Sequence, residues 1–316
     1  NTAVSVLEGM RAYTGNHLTY AKGADVSFGK TEFTEEVKIN TTDKSEFPQA
    51  IAVAKTADVV VMVLGEIGYQ SGEARSRTEL GLPGVQQDLL EAIYKVNKNI
   101  VLVLNNGRPL VLNWHQQHLP AIVEAWQLGT QSGNAIAQVL YGDYNPSGKL
   151  PMSFPRAVGQ IPIYYNHKTT GRPLTPTPST VFWSHYQDTA NTPLYPFGFG
   201  LSYTTFEYSA LQTQVLSDNE VNVSVTLKNT GKLTGKEVVQ LYIKDHYASV
   251  TRPVRELKGF ELVSLDPNES KIINFKLTEK ELGFYNNAGD FVLEPGEFSI
   301  FVGGNSNTKL ESRINL

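Results

Sequence analysis

The chain has 316 residues, 41% of them hydrophobic, and a formal net charge of -4. This length is comfortable for two domains, and the slight negative charge gives no sign of nucleic acid or an anionic membrane surface as a partner. No apolar segment approaches the roughly 20 residues that span a bilayer. Because the chain has no cysteine, disulfides, thiolate metal sites and a cysteine nucleophile are excluded.

The first 25 residues lack the strand that should open a doubly wound domain. Residues 7–18 have a helical pattern, and residues 19–28 are at most a short edge strand. We therefore expect the chain to begin inside a domain.

Residues 46–155 alternate between helical and strand-like segments. A helical pattern at 47–58 leads into an apolar strand at 59–64. Pro83 and Gly84 then open a helix. Four apolar residues form one stripe of that helix: Val85, Leu89, Ile93 and Val96.

Two more apolar strands follow, at 100–104 and 121–126. The last helix of this region is predicted to be capped by Ser132 and to end at Gly142. Strands that are apolar throughout and alternate with helices are typical of a parallel sheet covered on both faces. We therefore predict an α/β sandwich, a mostly parallel sheet between helices.

From about residue 156 the helical periodicity disappears. Residues 156–200 are rich in Pro, Thr, Tyr and Asn, and we expect a long loop packed over the first domain. Beyond Tyr203, apolar and polar residues alternate in four segments, at 221–227, 239–243, 273–277 and 298–302. Turn motifs separate these segments, which predicts a β-sandwich of the immunoglobulin or fibronectin type III kind.

Charged side chains follow the strand at 59–64. Glu66, Glu73, Arg75 and Arg77 lie in or just after a glycine-rich loop. Open α/β sheets bind ligands at the carboxyl ends of their strands, and carboxylates there suit acid/base work on a polyhydroxylated substrate. The alternative is a solvated loop with an ordinary surface ion pair, and we expect Arg75 to be solvated in either case.

Other polar groups are less informative. Asn105, Asn106 and Arg108 end a strand, where a simple polar turn is as good an interpretation as a functional one. His115 and His118 have a helical spacing, but no carboxylate or third ligand accompanies them. We expect neither a metal site nor a cofactor.

Five segments, in order along the chain, together resemble motifs of glycoside hydrolase family 3. They are GEIGYQSGEARSR at 65–77, NNGRP at 105–109, GDYNPSGKLP at 142–151, YPFGFGLSYTTF at 195–206 and RPVRELKGF at 252–260. The likeness is greatest to the periplasmic bacterial β-glucosidases of that family. Within the third segment, at 142–151, Asp143 is interpreted as a turn former.

The resemblance implies a retaining exo-glycosidase of three domains that releases terminal β-D-glucosyl residues from β-glucosides or oligosaccharides. A (β/α)8-type barrel carries the aspartate nucleophile, an α/β sandwich carries the glutamate acid/base, and a fibronectin type III-like domain braces both. Here residues 1–155 match the second domain without its beginning, 156–200 a long packed loop, and 201–316 the third domain. With the barrel absent, we expect the chain alone to be inactive, and its origin to be periplasmic or secreted.

The resemblance also selects a glutamate. In the family the acid/base glutamate stands four residues before an arginine, and a Leu-Pro pair follows shortly after. Glu73, Arg77 and Leu82-Pro83 fit this spacing. Such an acid must hold a proton near neutral pH. Glu66 aligns with an upstream glutamate that shapes the loop, and it remains the alternative acid. Arg77 is either a loop-orienting group or an i,i+4 partner of Glu73 on a helix.

Trp183, His185 and Tyr186 are weak candidates for contacts with the leaving-group sugar. The alternative is that they pin the long loop to its domain.

A second hypothesis covers the whole chain: a non-catalytic carbohydrate-binding or scaffold pair of domains, because the nucleophile is absent.

Overall fold

A computed structural model describes residues 3–13, 15, 17–32, 34–173 and 182–316. The chain divides into two compact units. The first runs to Tyr144 and includes Pro155–Gly159; the second comprises Asn145–Phe154 and Gln160–Leu316. Within the described ranges, no helix is both long and apolar enough to cross a membrane.

The first unit contains a parallel sheet. Its strands are β1 (Val60–Gly65), β2 (Ile100–Asn105) and β3 (Ala121–Glu124), with β2 in the middle. Leu64 is opposite Leu104 and Gly65 is opposite Asn105, so β1 and β2 end at the same edge of the sheet. The predicted α/β architecture is confirmed.

Five α-helices accompany this sheet in the described part of the first unit: α1 (Val6–Arg11), α2 (Phe47–Thr56), α3 (Gln86–Tyr94), α4 (Asn113–His118) and α5 (Ser132–Tyr141). Val103 of β2 packs with Ile136 of α5 in one buried cluster. Because side chains alternate along a strand, Leu102 and Leu104 point to the opposite face, and both are also fully buried. Burial on both faces explains why β2 has no polar alternation.

Two details of the helix predictions are wrong. Helix α3 ends at Tyr94, so Val96 lies beyond the apolar stripe and is exposed. Ser132 is the first residue of α5 and not its cap; its hydroxyl donates instead to the Val4 carbonyl oxygen at 3.3 Å. Gly142 does end α5, with the left-handed φ of 84° that glycine adopts readily.

The amino-terminal elements are shorter than predicted. Helix α1 begins with a capping box, in which the Ser5 hydroxyl accepts from the Glu8 amide and the Glu8 carboxylate accepts from the Ser5 amide. It ends at Arg11, and Thr14 and Asn16 of the predicted helix lie outside the described residues. The predicted edge strand at 19–28 is reduced, among described residues, to one bridge between Ser27 and Ile39.

The second unit contains the predicted β-sandwich. Its elements are β4 (Phe206–Ser217), β5 (Glu220–Asn229), β6 (Gly235–Asp245), β7 (Glu256–Leu265), β8 (Ser270–Thr278), α6 (Glu279–Leu282), β9 (Phe284–Tyr285), β10 (Phe291–Val292), β11 (Glu297–Gly303) and β12 (Glu311–Asn315). One antiparallel sheet of the sandwich has the order β12-β11-β6-β7 and the other the order β4-β5-β8. Leu241, Ile273 and Ile300 are fully buried in the core that the two sheets share.

Residues 160–173 and 182–200 of the predicted loop group with the second unit and not, as expected, with the first, whereas Pro155–Gly159 group with the first. The Lys149 ammonium donates to the Glu237 carboxylate of β6 at 2.9 Å and to the Gly200 carbonyl at 3.0 Å. The Tyr208 hydroxyl of β4 also donates to Glu237, at 2.9 Å. Buried charge pairing of this kind attaches the lysine's segment to the sandwich. Residues 174–181 of the predicted loop lie outside the described ranges, and the predicted domain limits remain predictions.

Candidate active site

The carboxyl end of β1 meets the carboxyl end of β2 at very short range. Gly65 has a φ of 134°, and a Cβ there would lie 2.0 Å from the Asn105 carbonyl oxygen. The next amide, that of Glu66, donates to the same oxygen at 2.6 Å. Glycine at this position therefore lets the chain leave the sheet with the Glu66 side chain directed inward.

The Glu66 carboxylate is fully buried and surrounded by donors. Arg77 Nη1 lies 2.7 Å from its Oε1, and Arg108 Nε lies 3.1 Å from the same atom. Its Oε2 accepts from the Ser71 hydroxyl at 3.2 Å and from the Gly107 amide at 3.1 Å. Two cations and two further donors therefore compensate one buried anion. These contacts join three parts of the chain at the sheet edge.

Arg77 has a different partner from the one its spacing suggested. Besides Glu66, it donates through Nη2 to the Gly81 carbonyl at 3.0 Å. Residues 72–79 form no helix, so the interpretation of Arg77 as a helical i,i+4 partner of Glu73 is wrong. Arg77 instead joins the beginning of the loop to its end.

Arg108 reaches across from the turn after β2. Its Nη2 donates to the carbonyl oxygens of Gln70 and, at 2.9 Å, Arg75. A Cβ on Gly107 would lie 2.2 Å from the Ser71 hydroxyl oxygen, so the turn packs directly against the loop. The sequence left a polar turn and a functional role equally open here, and the structure brings the turn to the candidate site.

Glu73 is exposed, at the tip of the loop. Gly72 and Ala74 on either side have positive φ values of 131° and 57°, and the left-handed conformation costs a residue such as alanine roughly 1–2 kcal/mol. The Glu73 side chain lines a concavity of about 450 Å³ together with Thr31, Ile67, Tyr69 and Arg75. A carboxyl group in this position is accessible to a substrate.

Arg75 is not solvated as expected. It is half-buried, and its Nη2 donates to the Glu35 carbonyl at 3.3 Å. Since its own carbonyl accepts from Arg108, Arg75 holds the loop from two directions.

Glu124 at the end of β3 was missed by the sequence analysis. Its Oε1 accepts from the Trp126 amide at 3.0 Å, and its Oε2 accepts from the Asn106 side-chain amide at 3.3 Å. Burial raises the pKa of Glu124 to about 7, against the opposing effect of these two hydrogen bonds. The signal was a single carboxylate that ends an otherwise apolar strand.

The raised pKa of Glu124 predicts a pH dependence of stability. Between pH 4.5 and about 7 the unfolded chain loses this proton while the folded chain keeps it, so the free energy of unfolding falls as the pH rises. Thermal unfolding of the wild type and of Glu124→Gln across this interval is the measurement. The melting temperature of Glu124→Gln is expected to fall less over this range, and parallel profiles would contradict the assignment.

The three aromatic candidates lie in the second unit. His185 Nδ1 is 2.8 Å from the Trp183 carbonyl oxygen, and the Tyr186 amide donates to the Asn191 side chain at 3.0 Å. These are contacts within one segment. Their role in sugar binding remains a prediction.

His115 and His118 take part in an aromatic cluster on α4. His118 stacks on Trp114 at 4.4 Å between ring centroids, and burial lowers the pKa of His115 to about 4. Across the described residues, no group of three or more His, Asp or Glu side chains is placed to hold a metal ion.

Asp143 accepts a hydrogen bond from the Tyr13 hydroxyl at 2.6 Å.

Two family models match the chain. Residues 1–203 match the glycosyl hydrolase family 3 C-terminal domain, and residues 237–306 match the fibronectin type III-like domain. The chain therefore belongs to glycosyl hydrolase family 3, as its motifs predicted.

Two named relatives are similar over almost the whole chain. It is 46% identical to a periplasmic beta-glucosidase of Salmonella typhimurium, covering 97% of this chain and 42% of the relative. It is 44% identical to a beta-xylosidase of Formosa agariphila, covering 96% and 40%. The chain thus spans about two fifths of the length of these relatives.

Solved structures show the same fold. A β-glucosidase from Erythrobacter marinus is 38% identical with a TM-score of 0.90, covering 100% of this chain and 43% of that one. A β-glucosidase from Listeria innocua in complex with isofagomine is 38% identical with a TM-score of 0.85, covering 99% and 42%.

Proposed function

We propose that this chain is the carboxyl-terminal part of a retaining β-glucosidase that releases terminal, non-reducing β-D-glucosyl residues, and that Glu73 is its general acid/base. The nucleophile is an aspartate in a (β/α)8-type barrel domain, which the longer relatives have room to contain. The observation that carries the proposal is the exposed Glu73 carboxyl, which lines a concavity on a loop held by buried ion pairs.

In the first step, protonated Glu73 donates its proton to the glycosidic oxygen as the bond to the anomeric carbon breaks. The barrel aspartate attacks that carbon from the opposite side, and a covalent glycosyl-enzyme forms. In the second step, a water molecule attacks the anomeric carbon while the Glu73 carboxylate takes its proton, and the bond to the aspartate breaks, which releases the sugar and the aspartate. This sequence requires the two carboxyl groups to lie about 5–5.5 Å apart across the bond.

Accessibility separates Glu73 from Glu66. A proton donor must come within hydrogen-bond distance of the leaving oxygen, and the buried Glu66 carboxylate already accepts from four donors. We assign to Glu66 and Arg77 the shaping of the loop that presents Glu73. The Salmonella relative's name further supports a periplasmic or secreted location.

The stereochemistry of the first product tests the reaction class. The experiment uses the barrel-containing enzyme, meaning the polypeptide that carries this chain together with the proposed barrel domain. Proton NMR during hydrolysis of an aryl β-glucoside is expected to show β-glucose before mutarotation. Initial α-glucose would contradict retention. An aryl β-xyloside with the same leaving group is the comparison substrate, since one relative is named a beta-xylosidase. Faster cleavage of the xyloside than of the glucoside would change the assigned sugar.

The chain without the barrel is expected to hydrolyse neither substrate, because it contributes only one of the two carboxyl groups. Calorimetry of the chain with glucose and cellobiose separates this half-site from the scaffold alternative. Absent or weak binding is expected. Tight binding without the barrel would favour a carbohydrate-binding domain pair.

A further inference from the structure

We propose that Arg108 is a positioning residue for the general acid/base: its guanidinium fixes the loop on both sides of Glu73 and so sets how far the carboxyl group reaches. The proposal rests on the function proposed for Glu73. Arg108 itself contacts neither the leaving group nor the nucleophile in this account.

The contacts lie on either side of the acid. Arg108 Nη2 donates to the carbonyl of Gln70, which precedes Glu73, and to the carbonyl of Arg75, which follows it. The same nitrogen lies 3.3 Å from the Ser71 hydroxyl oxygen. One side chain from the next strand's turn therefore determines the separation of the two ends of the short segment that bears Glu73.

The guanidinium is itself held in place. Its Nε lies 3.1 Å from Glu66 Oε1. The backbone carbonyl of Arg108 accepts from the side-chain amide of Asn106 at 2.8 Å. Asn106 is fully buried and also donates to Glu124 at the end of β3. The ends of all three strands of the parallel sheet thus support Arg108, and through it the loop.

Arginine suits this position because its planar group presents five donors in a fixed arrangement. Lysine keeps the charge but is a single ammonium group that cannot reproduce the arrangement of Nε on Glu66 and Nη2 on two carbonyls. The loop's own backbone hydrogen bonds are local, each spanning three residues: Gln70 N to Ile67 O at 2.9 Å, Ser71 N to Gly68 O at 3.4 Å and Arg75 N to Gly72 O at 3.2 Å. We therefore expect the position of Glu73 to depend on Arg108.

Displacement of the acid has a specific kinetic signature. A carboxyl group moved by about 1 Å can cost a rate factor on the order of 10². That loss applies where bond cleavage needs proton donation, so it grows as the leaving group becomes less acidic. A purely structural defect lowers the amount of active enzyme and affects all substrates equally.

The test measures kcat/KM of the barrel-containing enzyme for a series of aryl β-glucosides, from dinitrophenyl to methylphenyl leaving groups. Active enzyme is counted by titration with a 2-deoxy-2-fluoro glucoside that traps the nucleophile. The variants are Arg108→Met, Arg108→Lys and each of these combined with Glu73→Gln. Arg11→Met, which removes an exposed arginine of the same unit, is the control.

Arg108→Met and Arg108→Lys are expected to lower kcat/KM about 10²-fold for methylphenyl glucoside and only a few-fold for dinitrophenyl glucoside. In the Glu73→Gln background neither Arg108 substitution should lower kcat/KM further. An equal loss of kcat/KM for all leaving groups, or an undiminished loss in the Glu73→Gln background, would overturn the proposal. If Arg108→Met does not fold, Arg108→Lys decides. If the dependence of kcat/KM on the leaving group is no steeper in Glu73→Gln alone than in the wild type, the proposed function fails instead.

Discussion

Replacing Glu73 by alanine is expected to lower kcat/KM for β-glucosides with poor leaving groups by roughly 10²–10⁴-fold, the usual contribution of a general acid. The reason is that the glycosidic oxygen must then depart as an alkoxide or phenoxide without a proton. Dinitrophenyl β-glucoside needs little protonation, so its glycosylation step should change far less. The measurement is the slope of log kcat/KM against leaving-group pKa, which should become much steeper in Glu73→Ala.

The matched control is Glu79→Gln, which removes an exposed carboxylate further along the same segment. Its slope and its rates should equal those of the wild type. Unchanged turnover of poor substrates by Glu73→Ala would remove Glu73 from the mechanism. A large loss in Glu79→Gln with none in Glu73→Ala would transfer the role along the chain.

Replacing Glu66 by glutamine is expected to destabilise the first unit by about 3–5 kcal/mol, the usual effect of removing one partner of a buried ion pair. The variant keeps the size of the side chain but leaves Arg77 and Arg108 without their shared anion. Both arginine side chains are about four fifths buried, with exposed fractions of 19% and 20%. Urea unfolding of the chain, followed by tryptophan fluorescence, measures the change.

An exposed ion pair with the same nitrogen–oxygen distance is the control. Lys44 Nζ and Asp88 Oδ2 are 2.7 Å apart, as are Arg77 Nη1 and Glu66 Oε1, but both surface side chains are about half exposed. Asp88→Asn should therefore cost no more than about 1 kcal/mol. Equal effects of the two substitutions would show that burial does not make the Glu66 cluster special.

Most of the architecture could be predicted because it depends on local patterns. The strand at 100–104 is apolar at every position, which requires burial on both faces, and the alternation at 221–227 requires burial on one. Gly142 was correctly predicted to end its helix because the left-handed conformation there favours glycine. The position of Glu73 in a loop followed from Gly72 and Pro83.

The rest depends on contacts between distant parts of the chain. Nothing local distinguishes Arg108 in a polar turn from an arginine that reaches the loop carrying Glu73. The raised pKa of Glu124 likewise arises from burial at the sheet edge, which its neighbours in sequence do not reveal. Residues 160–173 and 182–200 group with the β-sandwich, and composition alone cannot specify the surface against which a loop packs.

In the proposed mechanism, one carboxyl group of this chain exchanges protons with the leaving group and with water, while the attacking group comes from the barrel. Azide distinguishes these roles, because it can replace water when the acid/base carboxylate is gone. Incubating Glu73→Ala barrel-containing enzyme with dinitrophenyl β-glucoside and sodium azide is expected to accelerate turnover and to yield β-glucosyl azide. Formation of α-glucosyl azide would identify Glu73 as the nucleophile, and hydrolysis at the wild-type rate without any azide product would show that it has neither role.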